Sequence, residues 1–263
     1  MAAGRPQTRE SLGRDLARLG LRAGEVVLVH SSLRALGWVC GGAVAVVQAL
    51  LDVLGPGGTL VVPAQATRNR DPSRWSDPAV PAEWWPAIRE HLPGFDPAVT
   101  PCRAMGLVAE TVRTWPGAVR SPHPQTSFAA VGHRAAALMA RHDLDCELGE
   151  ASPLGALEAA GALILLLGVG FDRCTAFHLA EYRQPGLRHR ENACVVLTPA
   201  GRQWVTYRGA ELDASDFAEL GADFARRTPH VVTGPVGEAS AHLLPLPEAV
   251  SFATMWLPSA GAA

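Results

Sequence analysis

A βαβ unit near the amino terminus constrains the fold of this chain more than any other feature. Residues 25–30, EVVLVH, form an apolar run typical of a buried strand, and residues 59–62, TLVV, form a second one. Between them, the glycine pair at 41–42 leads into a predicted helix over residues 43–54, which the turn PGG at 56–58 ends. Strands connected in this way pair in parallel. The sequence therefore predicts an α/β fold with a largely parallel central sheet.

Apolar segments of strand and helix length alternate along the rest of the chain. Before the βαβ unit, Thr8 can cap a helix that Gly20 ends, with three leucines on one face. After it, we expect strands at 128–131, 162–167, 193–197 and 203–207 and near 231 and 241, and helices near 105–115, from 134, at 154–159, at 215–226 and from 248. This pattern predicts helices on both faces of a mostly parallel sheet with antiparallel additions. No internal repeat or low-complexity linker divides the chain, so we expect a single domain over residues 1–263.

The segment from residue 63 to residue 100 interrupts this alternation. It contains seven prolines together with Trp75, Trp84 and Trp85. A long irregular segment inside a compact domain is usually either functional or disordered. The tryptophans favour the functional interpretation, because disordered segments are poor in aromatic residues.

Charge and composition exclude several classes of protein. The formal net charge is −2 and no basic stripe is present, so we expect no nucleic-acid partner. The longest uncharged apolar run, residues 159–171, is shorter than the roughly 20 residues of a spanning helix, and the amino terminus has no secretion signal. We therefore expect a cytoplasmic protein with no membrane contact. The five cysteines are scattered without a Cys-x-x-Cys pair, which predicts free thiols.

Three polar segments follow predicted strands and are candidates for a ligand site. They span residues 30–37, 65–69 and 172–181. Ligands of open α/β sheets bind at the carboxyl ends of strands, so we expect these segments to converge. If Asp172 or Thr175 caps a helix, His178 and Glu181 share a helical face, where the histidine can act as a general base. The alternative is a buried core histidine beside a solvated glutamate.

The loop at residues 120–128, RSPHPQTSF, is stiffened by prolines on both sides of His123. Such a loop suits recognition of phosphate or amide groups, or it is a structural turn whose hydroxyls bind the backbone. Motifs of serine hydrolases, P-loops and dinucleotide sites are absent. The sequence has no second histidine of a His-Glu-x-x-His site, so we expect no metal. A metal-dependent hydrolase that uses His123, His178 and Glu181 remains an alternative.

Four blocks in this order resemble the aminoglycoside N(3)-acetyltransferase family of antibiotic acetyltransferases over about residues 8–256. The blocks read VLVHSSLRALGWVCGG, GTLVVPAQAT, VRSPHPQTSFAAVG and LLLGVGFDRCTAFHLAEY. The resemblance implies acetyl-coenzyme A as donor and the 3-amino group of a 2-deoxystreptamine aminoglycoside as acceptor, with antibiotic resistance as the result. It also implies the family's own α/β fold, distinct from that of the common acetyltransferase superfamily. We expect a monomer or a homodimer.

The resemblance implies roles for residues in two of these blocks and in the loop at 120–128. His178 would be the general base, with Glu181 and Thr175 beside it in the catalytic group. The coenzyme would be bound by His30, Ser31, Ser32, Leu33, Arg34, Ala35, Gly37, Ser121, His123, Pro124, Ser127 and Phe128. Hydroxyls or backbone amides at residues 30–34 or 121–128 would stabilise the oxyanion that develops from the thioester carbonyl.

The acceptor is expected to bind at the insert of residues 63–100. A polycationic antibiotic needs carboxylates to replace its water and flat rings to contact its sugars. The candidates are Asp71, Trp75, Glu83, Asp96, Glu110 and Asp172, together with Asp77, Trp84 and Trp85. Two alternatives remain open: an acetyltransferase of this family that acts on a different amine in biosynthesis, and a non-catalytic binding protein for a small molecule.

Overall fold

The computed structural model describes residues 5–76 and 78–260. Its strands are β1 (Val26–Ser31), β2 (Thr59–Pro63), β3 (Val119–Arg120), β4 (Phe128–Gly132), β5 (Leu163–Leu167), β6 (His189–Thr198), β7 (Gly201–Ala210), β8 (Val232–Val236) and β9 (Ala239–Pro245). Its helices are α1 (Arg9–Leu19), α2 (Gly42–Leu54), α3 (Trp85–His91), α4 (Leu107–Arg113), α5 (Ala135–Met139), α6 (Pro153–Ala159), α7 (Phe177–Tyr182), α8 (Phe217–Arg227) and α9 (Leu246–Ala260). None of the helices in these two ranges is long and apolar enough to cross a bilayer.

Seven strands form one sheet in the order β3-β4-β2-β1-β5-β9-β8. The central strand β1 pairs in parallel with β2 on one side and with β5 on the other. Antiparallel strands extend the sheet at both edges, β4 and β3 next to β2, and β9 and β8 next to β5. The predicted α/β class, with a parallel centre and antiparallel additions, is confirmed.

Two hydrophobic cores cover the two faces of the sheet. Side chains alternate along a strand, so Val27 and Val29 of β1 enter one core while Val26 and Leu28 enter the other. The first core contains the buried faces of α1, α2 and α4, and the second those of α5 to α9. Burial of each leucine or valine side chain stabilises the folded state by about 1.5–3 kcal/mol relative to leaving it exposed. The strand sequences are apolar without interruption because both faces are covered.

The amino-terminal helix α1 follows the sequence prediction closely. Thr8 caps it through a capping box with Ser11, and Gly20 follows its last residue. The leucines at 12, 16 and 19 are buried, as their spacing predicts. Arg9 on the exposed face forms an ion pair with Asp52 of α2.

The segment predicted as an irregular insert is more regular than its prolines indicate. It contains α3, and 3₁₀ turns at Pro72–Arg74 and Ala82–Trp84. Pro86 lies in the first turn of α3, where the missing N–H interrupts no helical hydrogen bond, so this proline begins a helix rather than breaking one. The insert packs against the hairpin β6-β7, where Asn69 exchanges hydrogen bonds of 2.8 and 2.9 Å with the backbone of Val195.

Gly168 allows the chain to leave β5 beside the loop that follows β1. Its φ is +70°, and a Cβ added there would lie 2.6 Å from the Cβ of Ala35 and 3.1 Å from that of Ala239. Gly161, which precedes β5, also has a positive φ, of +64°, but a Cβ there would meet nothing within 4 Å. The two glycines therefore share one backbone constraint and differ in the space around them.

We predict that Gly168→Ala destabilises the protein more than Gly161→Ala. Both variants place alanine in the left-handed region, at a cost of about 1–2 kcal/mol, and only Gly168→Ala adds overpacking worth about 1–3 kcal/mol more. Urea denaturation of the two variants and the wild type measures the difference. Equal losses in the two variants would show that the contact with Ala35 does not constrain this turn.

Candidate active site

A cavity of about 820 Å³ lies at the carboxyl ends of the three parallel strands. The loop at residues 31–37, which contains the 3₁₀ turn Leu33–Leu36, enters it from β1, and Gln65 enters it from the segment after β2. Asp172, Thr175 and His178 enter it from the segment after β5. The three polar segments converge because β2, β1 and β5 are neighbours that point in the same direction.

His178 and Glu181 form a hydrogen-bonded pair on α7. The Nδ1 atom of His178 bonds to Oε2 of Glu181, and the two side chains are only 16% and 12% exposed. The other carboxylate oxygen of Glu181 accepts a 2.8 Å hydrogen bond from the backbone N–H of Asp213. A neutral imidazole that donates from Nδ1 has a basic Nε2. The pair can therefore hold the histidine in the tautomer of a general base.

The start of α7 differs from the prediction. Neither Asp172 nor Thr175 caps this helix, because Ala176 occupies the cap position and no side chain bonds there. The segment between β5 and α7 first makes a 3₁₀ turn at Phe171–Arg173. The i,i+3 spacing still brings His178 and Glu181 together, since that contact depends on the helix and not on its cap.

Phe217 supports His178 from outside the local sequence. The two ring centroids are 4.8 Å apart, and both side chains line the cavity. Phe217 is the first residue of α8 and is buried. Among the residues that the structure describes, no three histidine, cysteine, aspartate or glutamate side chains gather where they could hold a metal ion.

His30 is a second histidine in the wall of the cavity. It lies near the end of β1, is 7% exposed, and its Nε2 atom has no hydrogen-bond partner within the described ranges. Burial, and then the charge of His178, lower the pKa of His30 to about 3. Its ring is therefore neutral at neutral pH.

Comparison with known proteins identifies the family. A family model for aminoglycoside 3-N-acetyltransferases matches residues 28–258. The chain belongs to this family. The SPbeta prophage-derived aminoglycoside N(3')-acetyltransferase-like protein YokD of Bacillus subtilis (strain 168) is 43% identical over 95% of this chain and 92% of its own length.

Solved structures of similar proteins share the fold. The crystal structure of YokD covers 97% of this chain and 95% of its own, with a TM-score of 0.94 and 42% identity. AAC-IIIb in a binary complex with CoASH has a TM-score of 0.86 and 34% identity, and the match covers 96% of both chains. AAC-VIa bound to sisomicin has a TM-score of 0.87 and 34% identity, and the match covers 98% of this chain and 100% of its own. The expected family-specific fold is thus confirmed.

The structure separates the residues predicted to bind the coenzyme in this acetyltransferase into two groups. The first group lines the cavity and comprises His30, Ser31, Ser32, Leu33, Arg34 and Gly37. Ala35 does not line it and instead packs towards Gly168. The second group, in the loop at 120–128, does not line the cavity and comprises Ser121, His123, Pro124, Ser127 and Phe128.

The polar side chains of the loop at 120–128 are engaged within the protein, and the role of this loop at the coenzyme stays a prediction. The hydroxyl of Ser121 bonds to Nδ1 of His142 at 2.9 Å and accepts from the N–H of Phe128 at 2.9 Å. The hydroxyl of Ser127 donates to the carbonyl of Ala64 at 2.8 Å. Nδ1 of His123 accepts hydrogen bonds from the backbone N–H groups of Gln125, at 3.1 Å, and Thr126, at 3.0 Å. These polar groups satisfy one another, so the interpretation as a structural turn fits the geometry.

Most residues predicted to bind the acceptor lie away from this cavity. Asp172 lines it, and Asp96 lines a second cavity of about 830 Å³ that shares Gln65 and Ala104 with the first. Four others line neither cavity: Asp71, Trp75, Glu83 and Glu110. Trp84 and Trp85 line neither cavity as well, and Asp77 lies outside the described residues.

Internal ion pairs engage two of these carboxylates within the protein. Arg89 donates two hydrogen bonds to Asp71, of 2.8 and 3.0 Å, and these lower the pKa of Asp71 to about 2. Arg113 donates to Glu110 at 2.6 and 3.0 Å. The indole N–H of Trp75 donates to the carbonyl of Arg70 at 3.1 Å. Glu83 is exposed to solvent.

Several residues of the cavity wall carry no signal in the sequence that marks them as functional. Trp38 and Leu107 at its rim are 69% and 65% exposed, unusual for such large apolar side chains. Gln65 is an exception, because the sequence predicts that its segment, residues 65–69, converges on the site. Phe217 and the N–H of Asp213 come from distant parts of the chain, and no local pattern could have identified them.

We predict that stability falls steeply as the pH drops below about 6.5. Burial lowers the pKa of His30 and His142 to about 3 and that of His123 to about 4. Above pH 6.5 these histidines are neutral in both the folded and the unfolded state, so they do not change the free energy of unfolding with pH. Below it the unfolded chain binds protons that the folded protein cannot, which costs about 1.4 kcal/mol per histidine at pH 5.5.

Urea denaturation between pH 7.5 and 5.5, above the ordinary pKa of a carboxylate, measures this effect. His142→Gln should lose part of the pH slope, whatever its stability at pH 7.5. His133→Gln, at an exposed position, should keep the full slope. A free energy of unfolding that is constant over this range would contradict the assignment of buried neutral histidines.

Proposed function

We propose that this protein transfers the acetyl group of acetyl-coenzyme A to the 3-amino group of 2-deoxystreptamine aminoglycosides and thereby confers resistance to them. The observation that carries this proposal is the His178–Glu181 pair in the wall of a cavity of about 820 Å³. That volume is within the usual range for a small-molecule site. Membership of the family supports the choice of donor and acceptor.

In this proposal the coenzyme lies along the loop at residues 31–37, with its thioester near His178. The hydroxyls of Ser31 and Ser32 and the backbone of this loop offer polar partners to the pantetheine arm. The exposed rings and methyl groups of Trp38 and Leu107 offer apolar contact at the rim. The loop at 120–128 acts behind this site, by holding the start of β4 and the start of the insert.

His178 acts as the general base in the proposed reaction. An aminoglycoside amine is largely protonated at neutral pH and must lose a proton before it can attack. Nε2 of His178 takes that proton, while Glu181 holds Nδ1–H and stabilises the imidazolium. The neutral amine nitrogen then bonds to the carbonyl carbon, and as the C–S bond breaks the imidazolium gives its proton to the leaving thiolate. The acylated nitrogen releases its second proton to solvent, which leaves a neutral amide and coenzyme A. No covalent enzyme intermediate is required.

The insert would form the acceptor side of a single domain over residues 1–263. Asp172 in the first cavity and Asp96 in the second are the carboxylates that we propose contact the cationic acceptor. Thr175 lines the first cavity next to His178, and we assign it a contact with the reacting groups. The two cavities share Gln65 and Ala104 in their walls, and we propose that one acceptor extends across both.

We predict that His178→Ala lowers kcat by about 100-fold or more, the scale for loss of a general base. Glu181→Gln should lower kcat by about 10-fold or more, because the imidazolium loses its counter-charge. Glu83→Gln, at an exposed position away from both cavities, is the matched control and should leave kcat unchanged. Thiol release from acetyl-coenzyme A with an aminoglycoside gives the rates.

The same assay across a panel of amines tests the acceptor. Turnover with several aminoglycosides, and none with a compound whose 3-amine is blocked, is the expected result. Turnover with the blocked compound would assign the reaction to another amine. Turnover with other amines and with no aminoglycoside would favour an enzyme of biosynthesis, and coenzyme binding without any turnover would favour a binding protein.

We predict that Ser31→Ala weakens coenzyme binding and that Ser127→Ala does not. Ser31 lines the cavity, whereas Ser127 is fully buried and bonded to Ala64. Ser127→Ala should instead lower the melting temperature of the free protein, because it leaves a buried carbonyl and the Arg120 side chain with fewer partners. The thermal shift produced by coenzyme A measures binding. An equal loss of that shift in both variants would return the loop at 120–128 to the coenzyme site.

A further inference from the structure

His30 occupies a position that the general-base mechanism leaves without a role. It lies one residue before the end of β1, beside Leu166 of β5, and lines the cavity together with His178. The two rings are close enough for the charge of His178 to disfavour protonation of His30. His30 is therefore held next to the proposed reacting groups by the sheet itself.

The Nε2 atom of His30 is a buried polar atom without a protein partner in the described part of the chain. Buried polar groups are nearly always hydrogen-bonded, because each unsatisfied one costs about 1–3 kcal/mol. Sites that keep such a group unsatisfied often use it for a ligand or for catalysis. In contrast, the second ring in this wall, that of His178, already has Glu181 as partner.

A neutral imidazole is suited to hydrogen-bond a developing negative charge. It donates one N–H without bringing a net charge into the cavity, so it does not repel the imidazolium that forms on His178. Burial lowers the pKa of His30 to about 3, so its ring is neutral at neutral pH. It would thus remain a donor while His178 gains and loses a proton.

We propose that the imidazole N–H of His30 donates a hydrogen bond to the carbonyl oxygen of the acetyl thioester and stabilises the oxyanion formed from it. This inference rests on the proposed acetyl transfer. As the amine nitrogen bonds to the carbonyl carbon, the C=O electron pair moves to the oxygen and is held by His30. When the C=O bond reforms, the C–S bond breaks and the thiolate leaves. His30 keeps its proton throughout.

Two variants separate hydrogen bonding from packing at this position. His30→Leu fills the space without a donor, and kcat should fall about 100- to 1000-fold, the scale for one oxyanion donor. His30→Gln keeps an N–H donor and should restore kcat to within about 10-fold of the wild type. Binding of coenzyme A, which has no acetyl carbonyl, should change little in either variant. An unchanged kcat in His30→Leu, or no rescue by His30→Gln, would overturn the proposal.

A spectroscopic measurement tests the hydrogen bond directly, with acetyl-coenzyme A labelled with ¹³C at the carbonyl and no acceptor present. Its carbonyl resonance should move downfield on binding to the wild type, move equally with His178→Ala, and stay near the free value with His30→Leu. In ¹⁵N-histidine-labelled wild type, the His30 signal should shift with acetyl-coenzyme A and not with coenzyme A. This second measurement is made on the wild-type protein and so does not depend on a destabilised variant. His30→Gln serves only to identify the signal of His30.

The outcomes distinguish this inference from the proposed function. Normal turnover with a carbonyl resonance that does not depend on His30 would overturn the role of His30 alone. A protein that binds no acetyl-coenzyme A would overturn the proposed function, and with it this inference. Turnover with a resonance that depends on His30 and not on His178 is the result that supports both.

Discussion

The parallel hydrogen bonding of β1 to β2 and β5 is the constraint on which the rest of the molecule depends. It aligns the carboxyl ends of three strands, so that the segments leaving them meet around one cavity. In this register His30 lies beside Leu166, and Ser31 lies beside Leu167. The apolar residues on both faces of β1 fix this arrangement, because a slip by one residue would exchange the two cores.

A second level of organisation comes from helices that pack around the strand ends. α7 presents His178 and Glu181 on one face, and the start of α8 closes over them with Phe217. The N–H of Asp213 binds the carboxylate of Glu181, which in turn binds the histidine. The imidazole is thus held through its partner, and its orientation depends on contacts between residues that are far apart in sequence. This is how a flexible side chain acquires a fixed geometry.

Internal satisfaction of polar groups determines which residues remain available to a ligand. The hydroxyls and the histidine of the loop at 120–128 bond to the backbone and to His142. Asp71 and Glu110 likewise bind arginines of their own neighbourhood. Asp96 and Asp172 line the cavity walls, where Asp172 also pairs with Arg173 at 3.0 Å, so the surface available to a cationic acceptor is less acidic than the composition of the insert indicates.

The sequence by itself determined the α/β class, the parallel centre, the helix capped by Thr8 and the i,i+3 pair of His178 and Glu181. These follow from local rules, since apolar periodicity, caps and helical spacing act within a few residues. Only the tertiary structure decided that Phe217 and Asp213 support this pair, that Ser121 and Ser127 face inward, and that His30 keeps an unpartnered nitrogen beside the cavity. A polar side chain takes whichever partner the folded chain brings within about 3 Å, and no local pattern specifies that partner.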